Sequence, residues 1–325
     1  MTTAFEMFIL AAEELNFTRA AERAFVTQQT LSEHIKRLED TYHIFLFRRK
    51  PRLALTSEGE TMLKYLSRMK ALEDSMINEL SDINAGIRGT INLGISNTRG
   101  IILIPKILPK FQTILPNVDV QVQLADTRRL EQFLLNGKID IMLGVDASQH
   151  ALFERRLIYS DPIYLVVSDE LIKSYFGDDY ENLITEFKNG VDLKKFTEIP
   201  FVQGHPMSTT TYAINQFLLK HSIQLRIPIS VSNFDIMIDL CRSGQYATIT
   251  PSFHLLQLMR LNEEKELTAR LHVFPIKHFS YKLSVETITH KDAEPLVHRQ
   301  VFIELIEKTL LEENIKVQEY IQTGI

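Results

Sequence analysis

The chain has 325 residues, too many for one ordinary core, and its 45% hydrophobic and 24% charged content describes a soluble globular protein of two or three domains. No apolar run approaches the ~20 residues of a membrane span, and the opening MTTAFEMF lacks a basic region before a long apolar core, so a cytoplasmic location without membrane contact is expected. The net charge of −5 is uneven: residues 16–55 hold eight Lys or Arg against four acids, a local +4 on a body left with −9, which suits a protein touching a polyanion with one end only.

A first helix is expected from Thr3 to Glu14, with Phe5, Phe8, Ala12 and Leu15 on one face and Glu6, Glu13 and Glu14 outside, as a support and not a reader. A second runs from Thr18 to Ala24. After the break Phe25-Val26-Thr27, a third runs from Gln28 to Thr41, capped by the Thr27 hydroxyl and held in a core by Leu31, Ile35 and Leu38. Its other face presents Gln28, Gln29, Thr30, Ser32, Glu33, Lys36 and Arg37, side chains able to reach base edges and phosphates. Next, Phe45 and Phe47, then Leu53 and Leu55, alternate around the break Lys50-Pro51 as a two-stranded wing. Its tip, Arg48, Arg49, Lys50 and Arg52, would lie against phosphate backbone or minor groove; the alternative is a solvated basic turn.

The run from Asn16 to Gly59 resembles the winged helix-turn-helix of LysR-type transcriptional regulators. The resemblance rests on Ala20-Ala21, Thr27-Gln28, Leu31-Ser32, Leu38-Glu39, Leu46-Phe47-Arg48-Arg49 and Leu55-Thr56-Ser57-Glu58-Gly59. It implies double-stranded DNA as partner, and the DNA-reading set is expected to include Arg19 and Thr27. Three positions depart from the family pattern: Gln29 stands where proline is common, His43 where glycine is common and Glu58 where alanine is common. Gln29 adds a side chain able to pair bidentately with adenine at the helix N-terminus.

From Ser57 to Asn84 there is no proline and an apolar seam, Met62, Tyr65, Met69, Leu72, Met76 and Ile83, at three-four spacing. Ser57 with Glu60 reads as a capping box. So narrow a seam on so long a helix predicts a two-helix coiled coil between subunits; the alternative is a linker packed on its own body. Gly86 and Gly89 would end the helix and form a hinge.

Beyond Gly89, strands and helices alternate: Thr90–Ser96, Val118–Ala125 and Ile139–Val145 as strands of a parallel α/β sheet, and a second set from Ile199 to Pro251. LIYSDPIYLVVSDE would cross between two lobes. Strand, strand and helix return from Leu271 to Glu312. Residues Leu171 to Lys195 look like an insert without a functional account. This part is similar to the family's effector domain, built like a small periplasmic binding protein, through Asn136-Gly137-Lys138-Ile139-Asp140, Ser243-Gly244 and Thr250-Pro251. The expected division is DNA-binding domain 1–60, linker helix 57–85 and effector domain 86–325, with lobe I at 90–163 and 272–312 and lobe II at 164–271.

In doubly wound sheets ligands lie at the carboxyl ends of strands, where free helix amides point into the crevice. Ser96-Asn97-Thr98 and Ser208-Thr209-Thr210 open helices of the two lobes and would hold a small anion between them, although each hydroxyl is equally at home as a plain helix cap. The resemblance implies help from Asp126-Thr127, Val145-Asp146, Gln203 and Thr250. It also implies a homo-oligomer, dimer or tetramer, that alters DNA bending and contact with RNA polymerase in response to this effector.

Catalysis finds no support. The histidines lack zinc-protease spacing, no Gly-rich phosphate loop or Gly-x-Ser-x-Gly elbow appears, and nothing ties Asp126, Asp140, Asp146 and Asp161 into an acid-base pair. No metal or cofactor is expected, and Cys241 reads as a small buried apolar residue. A ligand-binding transport protein would explain two lobes but not the first 60 residues.

Overall fold

Three helices build the N-terminal core: α1 (Thr3–Glu14), α2 (Phe17–Arg23) and α3 (Gln28–Tyr42). The computed structural model describes residues 2–48, 52–85, 88–206, 208–263 and 270–323. Helix α2 starts because Asn16 Oδ1 accepts from the amides of Thr18 and Arg19, and α3 because Thr27 accepts from Thr30 N. Phe8, Leu31 and Ile35 are almost wholly buried, each such side chain worth about 1.5–3 kcal/mol over an exposed one.

The wing is shorter than its sequence alternation suggests. β1 (Phe47–Arg48) pairs antiparallel with β2 (Ala54–Leu55), Phe47 opposite Leu55. Phe47 packs edge-on against Phe8 and Phe17. Phe45 lies ahead of the strand and is 78% exposed, its expected place in the core being taken by Leu46. The expected tip residues Arg49 and Lys50, with Pro51 of the break, lie outside the described residues, as does Gly86.

Helix α4 (Ser57–Ala85) follows without a loop. Its cap is Thr56, not Ser57: Gly59 N donates to Thr56 Oγ1 at 3.0 Å, while the Ser57 hydroxyl turns to Glu58. Gly59 is required there, since a Cβ would strike the Leu46 carbonyl. Leu66 is buried in the N-terminal core, whereas Tyr65, Met69, Leu72 and Met76 are about half exposed. On another side α4 meets lobe I, where a Cβ on Gly137 (φ 68°) would lie 2.9 Å from Ala71 Cβ.

Lobe I is a sheet in the order β4-β3-β5-β11-β6. Strands β3 (Gly89–Ile95), β4 (Val118–Leu124) and β5 (Ile141–Val145) run parallel, joined by α5 (Asn97–Ile114) and α6 (Thr127–Leu135). Antiparallel β11 (Lys282–His290) separates β5 from the long β6 (Phe153–Ser168). β6 then passes into lobe II, where from Ile163 onward it pairs with β9 (Thr248–Pro251) and β10 (Leu271–Pro275). Residues 272–275, expected in lobe I, therefore belong to lobe II: their register runs against Tyr164–Val167, and the return crossing is 276–281.

Lobe II continues through parallel β7 (Pro200–Gly204) and β8 (Arg226–Val231), with Phe201 of β7 bridged to Ala247, the residue before β9. Helices α9 (Thr209–Lys220) and α10 (Phe234–Arg242) flank them. The insert is architectural: α7 (Asp169–Phe176) and α8 (Tyr180–Phe187) bring Phe176 and Phe187 against Phe196 and Phe274, with centroids 5.3–5.8 Å apart. Two further helices, α11 (Leu255–Glu263) and α12 (Val297–Thr323), complete the chain, and α12 seats Phe302 on Phe111 of α5 at 4.7 Å. Cys241 is wholly buried, and burial pushes its thiol well above the ordinary range.

Candidate DNA-reading helix and interlobe cavity

Burial of Leu31, Ile35 and Leu38 turns the opposite face of α3 outward, so Gln28, Gln29, Glu33, Lys36 and Arg37 are exposed and Thr30 and Ser32 partly so. Several of these groups are already engaged. Gln29 Nε2 donates to Glu33 Oε1 at 3.1 Å, Gln28 Oε1 accepts from the Thr18 hydroxyl at 3.3 Å, and the Thr27 and Thr30 hydroxyls share a 2.8 Å contact. Arg19 pairs with Glu14 at 3.0 Å. Lys36, Arg37, Arg48 and Arg52 are exposed cations. Chemically this is a helix face of amide, hydroxyl and cationic groups, with the exposed cations Arg48 and Arg52 on the neighbouring wing.

At the other end of the chain, a cavity of about 1000 Å³ opens between the lobes. One wall is α6, with Arg128, Glu131, Gln132 and Leu135; the other is α9, with Thr209, Tyr212, Gln216, Phe217 and Lys220; His278 and Tyr281 of the return crossing and Lys282 at the start of β11 complete the lining. Asp146 at its edge has φ 48° and accepts from Ser284 N at 2.7 Å and Tyr281 Oη at 2.6 Å. Desolvation, then the hydrogen bond to Asp146, pushes the Tyr281 hydroxyl up to about 12, so it stays a donor.

Of the ligand residues expected from the sequence, Thr209 and Asp146 line this cavity. Ser208 stands before α9 without a side-chain capping bond. Thr127 donates to Val145 O at 3.2 Å, Gln203 to Asn215 Oδ1 at 2.7 Å, and Thr250 shares a 2.8 Å contact with His254 Nδ1, so these polar groups are occupied within the protein. Asn97 and Thr98 form the first turn of α5, and the Ser96 hydroxyl before it is buried without a partner. That hydroxyl is the one member of the first cluster left with unspent buried hydrogen-bonding capacity.

Missed from the sequence is the ion pair beside that cluster. Arg99, 4% exposed, donates to Asp161 Oδ2 at 2.9 Å, and Asp161, fully buried, also accepts from Ser252 Oγ at 2.7 Å and Phe253 N at 3.2 Å. Asp161 sits where β6 changes partners, so the pair ties α5 of lobe I, the crossing strand and lobe II at one point. Burial raises the Asp161 carboxyl above its ordinary range against the opposing pull of Arg99 and the two donors. Desolvation, then the Arg99 charge, drives the nearby His254 imidazole down to about 3. An arginine just inside a predicted helix and an aspartate in an otherwise apolar strand were the available signals.

The carboxylates of Asp126 and Asp140 are structural. Asp126 caps α6 through Arg129 N, and Asp140 receives Asn92 N and Nδ2 on one oxygen and Arg299 on the other. Among the described residues no group of three or more His, Cys, Asp or Glu could hold a metal ion, and no helix is long and apolar enough to cross a membrane.

Comparison with known proteins matches residues 2–60 to the bacterial regulatory helix-turn-helix protein, lysR family, and residues 84–310 to the LysR substrate binding domain. A protein of Trieres chinensis described as "Probable RuBisCO transcriptional regulator" is 36% identical over 232 residues, 70% of each chain. The HTH-type transcriptional regulator CitR of Bacillus subtilis (strain 168) is 28% identical over 61% of this chain and 65% of its own. Among solved structures, full-length CbnR complexed with its target DNA is similar over 94% of this chain and 98% of its own, at 19% identity and TM-score 0.58. A full-length OxyR variant from Pseudomonas aeruginosa covers 95% of this chain and 94% of its own, at 19% identity and TM-score 0.67. These structural likenesses show the shared fold.

Proposed function

Because this chain belongs to the LysR family, transcriptional regulators with a DNA-binding and an effector-binding domain and not enzymes, we propose that it binds an interrupted inverted-repeat site in cytoplasmic DNA as a dimer or tetramer. In that reading it changes transcription when a small anion enters between the two lobes. The observation that carries it is the cavity of about 1000 Å³ walled by α6 of one lobe and α9 of the other, in a chain whose far end exposes a reading helix. A ligand held by both lobes has differential affinity for their open and closed arrangements, which is the only way it can shift an equilibrium.

The exposed seam of Tyr65, Met69, Leu72 and Met76 on α4 supports dimerisation through that helix. Paired subunits would present two α3 helices to successive major grooves, about one turn or ~34–36 Å apart. The wing cations Arg48, Arg49 and Arg52 would hold phosphates, and the angle between DNA-binding pairs would set DNA bending and contact with RNA polymerase. Ser96, Asn97 and Thr98, with Ser208 and Thr209, remain the proposed polar contacts, and Thr127, Val145, Gln203 and Thr250 their supports.

Selection of bound genomic fragments supplies the target site. Joining α6 to α9 across the cavity mouth with a bis-maleimide, in a Gln132→Cys, Gln216→Cys chain, should then abolish effector-dependent change of the DNA footprint. A cross-linked chain that still responds places the effector elsewhere.

A further inference from the structure

The interlobe cavity has an uneven charge balance. Its two carboxylates are committed to the protein: Glu131 accepts from Ser148 N at 2.6 Å, and Asp146 from Ser284 N and Tyr281 Oη. Its three cations are not. Arg128 of α6, Lys220 of α9 and Lys282 at the start of β11 line the same space, and among the described residues none has a carboxylate within ion-pair distance.

All three are exposed, and like charges lining one concave space raise its potential and concentrate counter-ions there. The three come from α6 of lobe I, α9 of lobe II and the first residue of β11, where the chain re-enters lobe I. One negative charge could meet only one or two of them; a molecule with separated charges could meet all three and draw the lobes together. The volume, about 1000 Å³, is at the upper end for small-molecule sites and exceeds the need of an inorganic ion. Leu135, Tyr212 and Phe217 give the remainder of the wall an apolar surface for an organic body.

We infer that the cavity takes an organic molecule bearing two or more oxyanion charges, phosphate or carboxylate, clamped between Arg128, Lys220 and Lys282. This rests on the reading of the two lobes as one effector site, and it specifies the chemistry that site selects. It also assigns recognition to the α6 and α9 faces and the start of β11, beyond the hydroxyl-rich helix starts.

Calorimetric titration of the full chain at low salt with pyrophosphate, citrate and benzoate tests the charge requirement. Pyrophosphate or citrate should bind at least about tenfold tighter than benzoate, the better of the two distinguishing a phosphate from a carboxylate ligand. Arg128→Gln and Lys220→Gln should each weaken that binding by about fivefold to tenfold, and added salt should weaken it further. Equal affinity for all three anions, no binding of either polyanion, or binding unchanged in both variants overturns the inference. Failure here leaves the cross-linking result untouched: a chain that loses its response when α6 and α9 are joined still has an interlobe effector, of another charge class.

Discussion

Arg68 Nη2 of the linker helix lies 2.9 Å from His290 Nε2 at the end of β11, joining residues 222 apart in the chain. A guanidinium can only donate, so in this contact Nε2 accepts, which requires a neutral imidazole. The contact sits beside the close approach of Ala71 to Gly137, and Lys138 reaches Glu13 of α1 at 3.4 Å. The DNA-binding end is therefore tied to lobe I at several points.

The first prediction concerns pH. Burial, then the Arg68 charge, lowers the His290 imidazole from its ordinary 6.5. A lowered value means the docked state prefers the neutral ring, so this contribution is whole above about pH 6.5 and is lost as pH falls through the docked-state value. The stability difference between the parent chain and Arg68→Leu, from urea unfolding, should be about 1 kcal/mol at about pH 8 and should shrink as the pH falls below about 6.5.

A second prediction follows from the buried pair. Arg99→Met leaves Asp161 ionisable, buried and unpaired, and should cost about 3–5 kcal/mol in urea or thermal unfolding. Adding Asp161→Leu should recover part of that loss, because an apolar pair needs no desolvation; the Ser252 hydroxyl and Phe253 amide, which now donate to Asp161, limit the recovery.

DNA recognition gives a third. Gln29 can meet adenine bidentately only if it releases Glu33. Glu33→Ala should therefore tighten binding, whereas Gln29→Ala should remove about 1–3 kcal/mol of preference at one position of each half-site, read from a binding-site library. Arg52→Ala should instead weaken binding to all sequences alike and flatten the salt dependence.

A fourth concerns two strained turns. Phe25 (φ 55°) is 97% exposed and His43 (φ 56°) closes α3, both in the left-handed region that side chains disfavour. Phe25→Asn and His43→Gly should each stabilise the N-terminal domain by about 0.5–1 kcal/mol, visible as a raised unfolding midpoint.

Much of the N-terminal half was legible because its signals are local. Apolar spacing at Leu31, Ile35 and Leu38 and the caps at Asn16 and Thr27 act within one or two helical turns, so the helices follow from neighbouring residues. The wing was less so: with strands of only two residues, one position of register decides whether Phe45 or Leu46 is buried. Placement of residues 272–275 in lobe II depended on pairing with a strand more than a hundred positions earlier.

By itself the sequence determined most of the helices of the N-terminal half, that the basic charge lies at one end, and that two α/β lobes follow a long amphipathic helix. Those properties come from periodicity, capping and composition, which are short-range. Only the tertiary structure decided that Arg99 meets Asp161, that Thr127, Gln203 and Thr250 spend their polar groups internally, and that Arg128, Lys220 and Lys282 share one cavity. Such relations depend on which side chains the crossing strands bring together, and on desolvation at the place where they meet, neither of which is written in the spacing of residues along the chain.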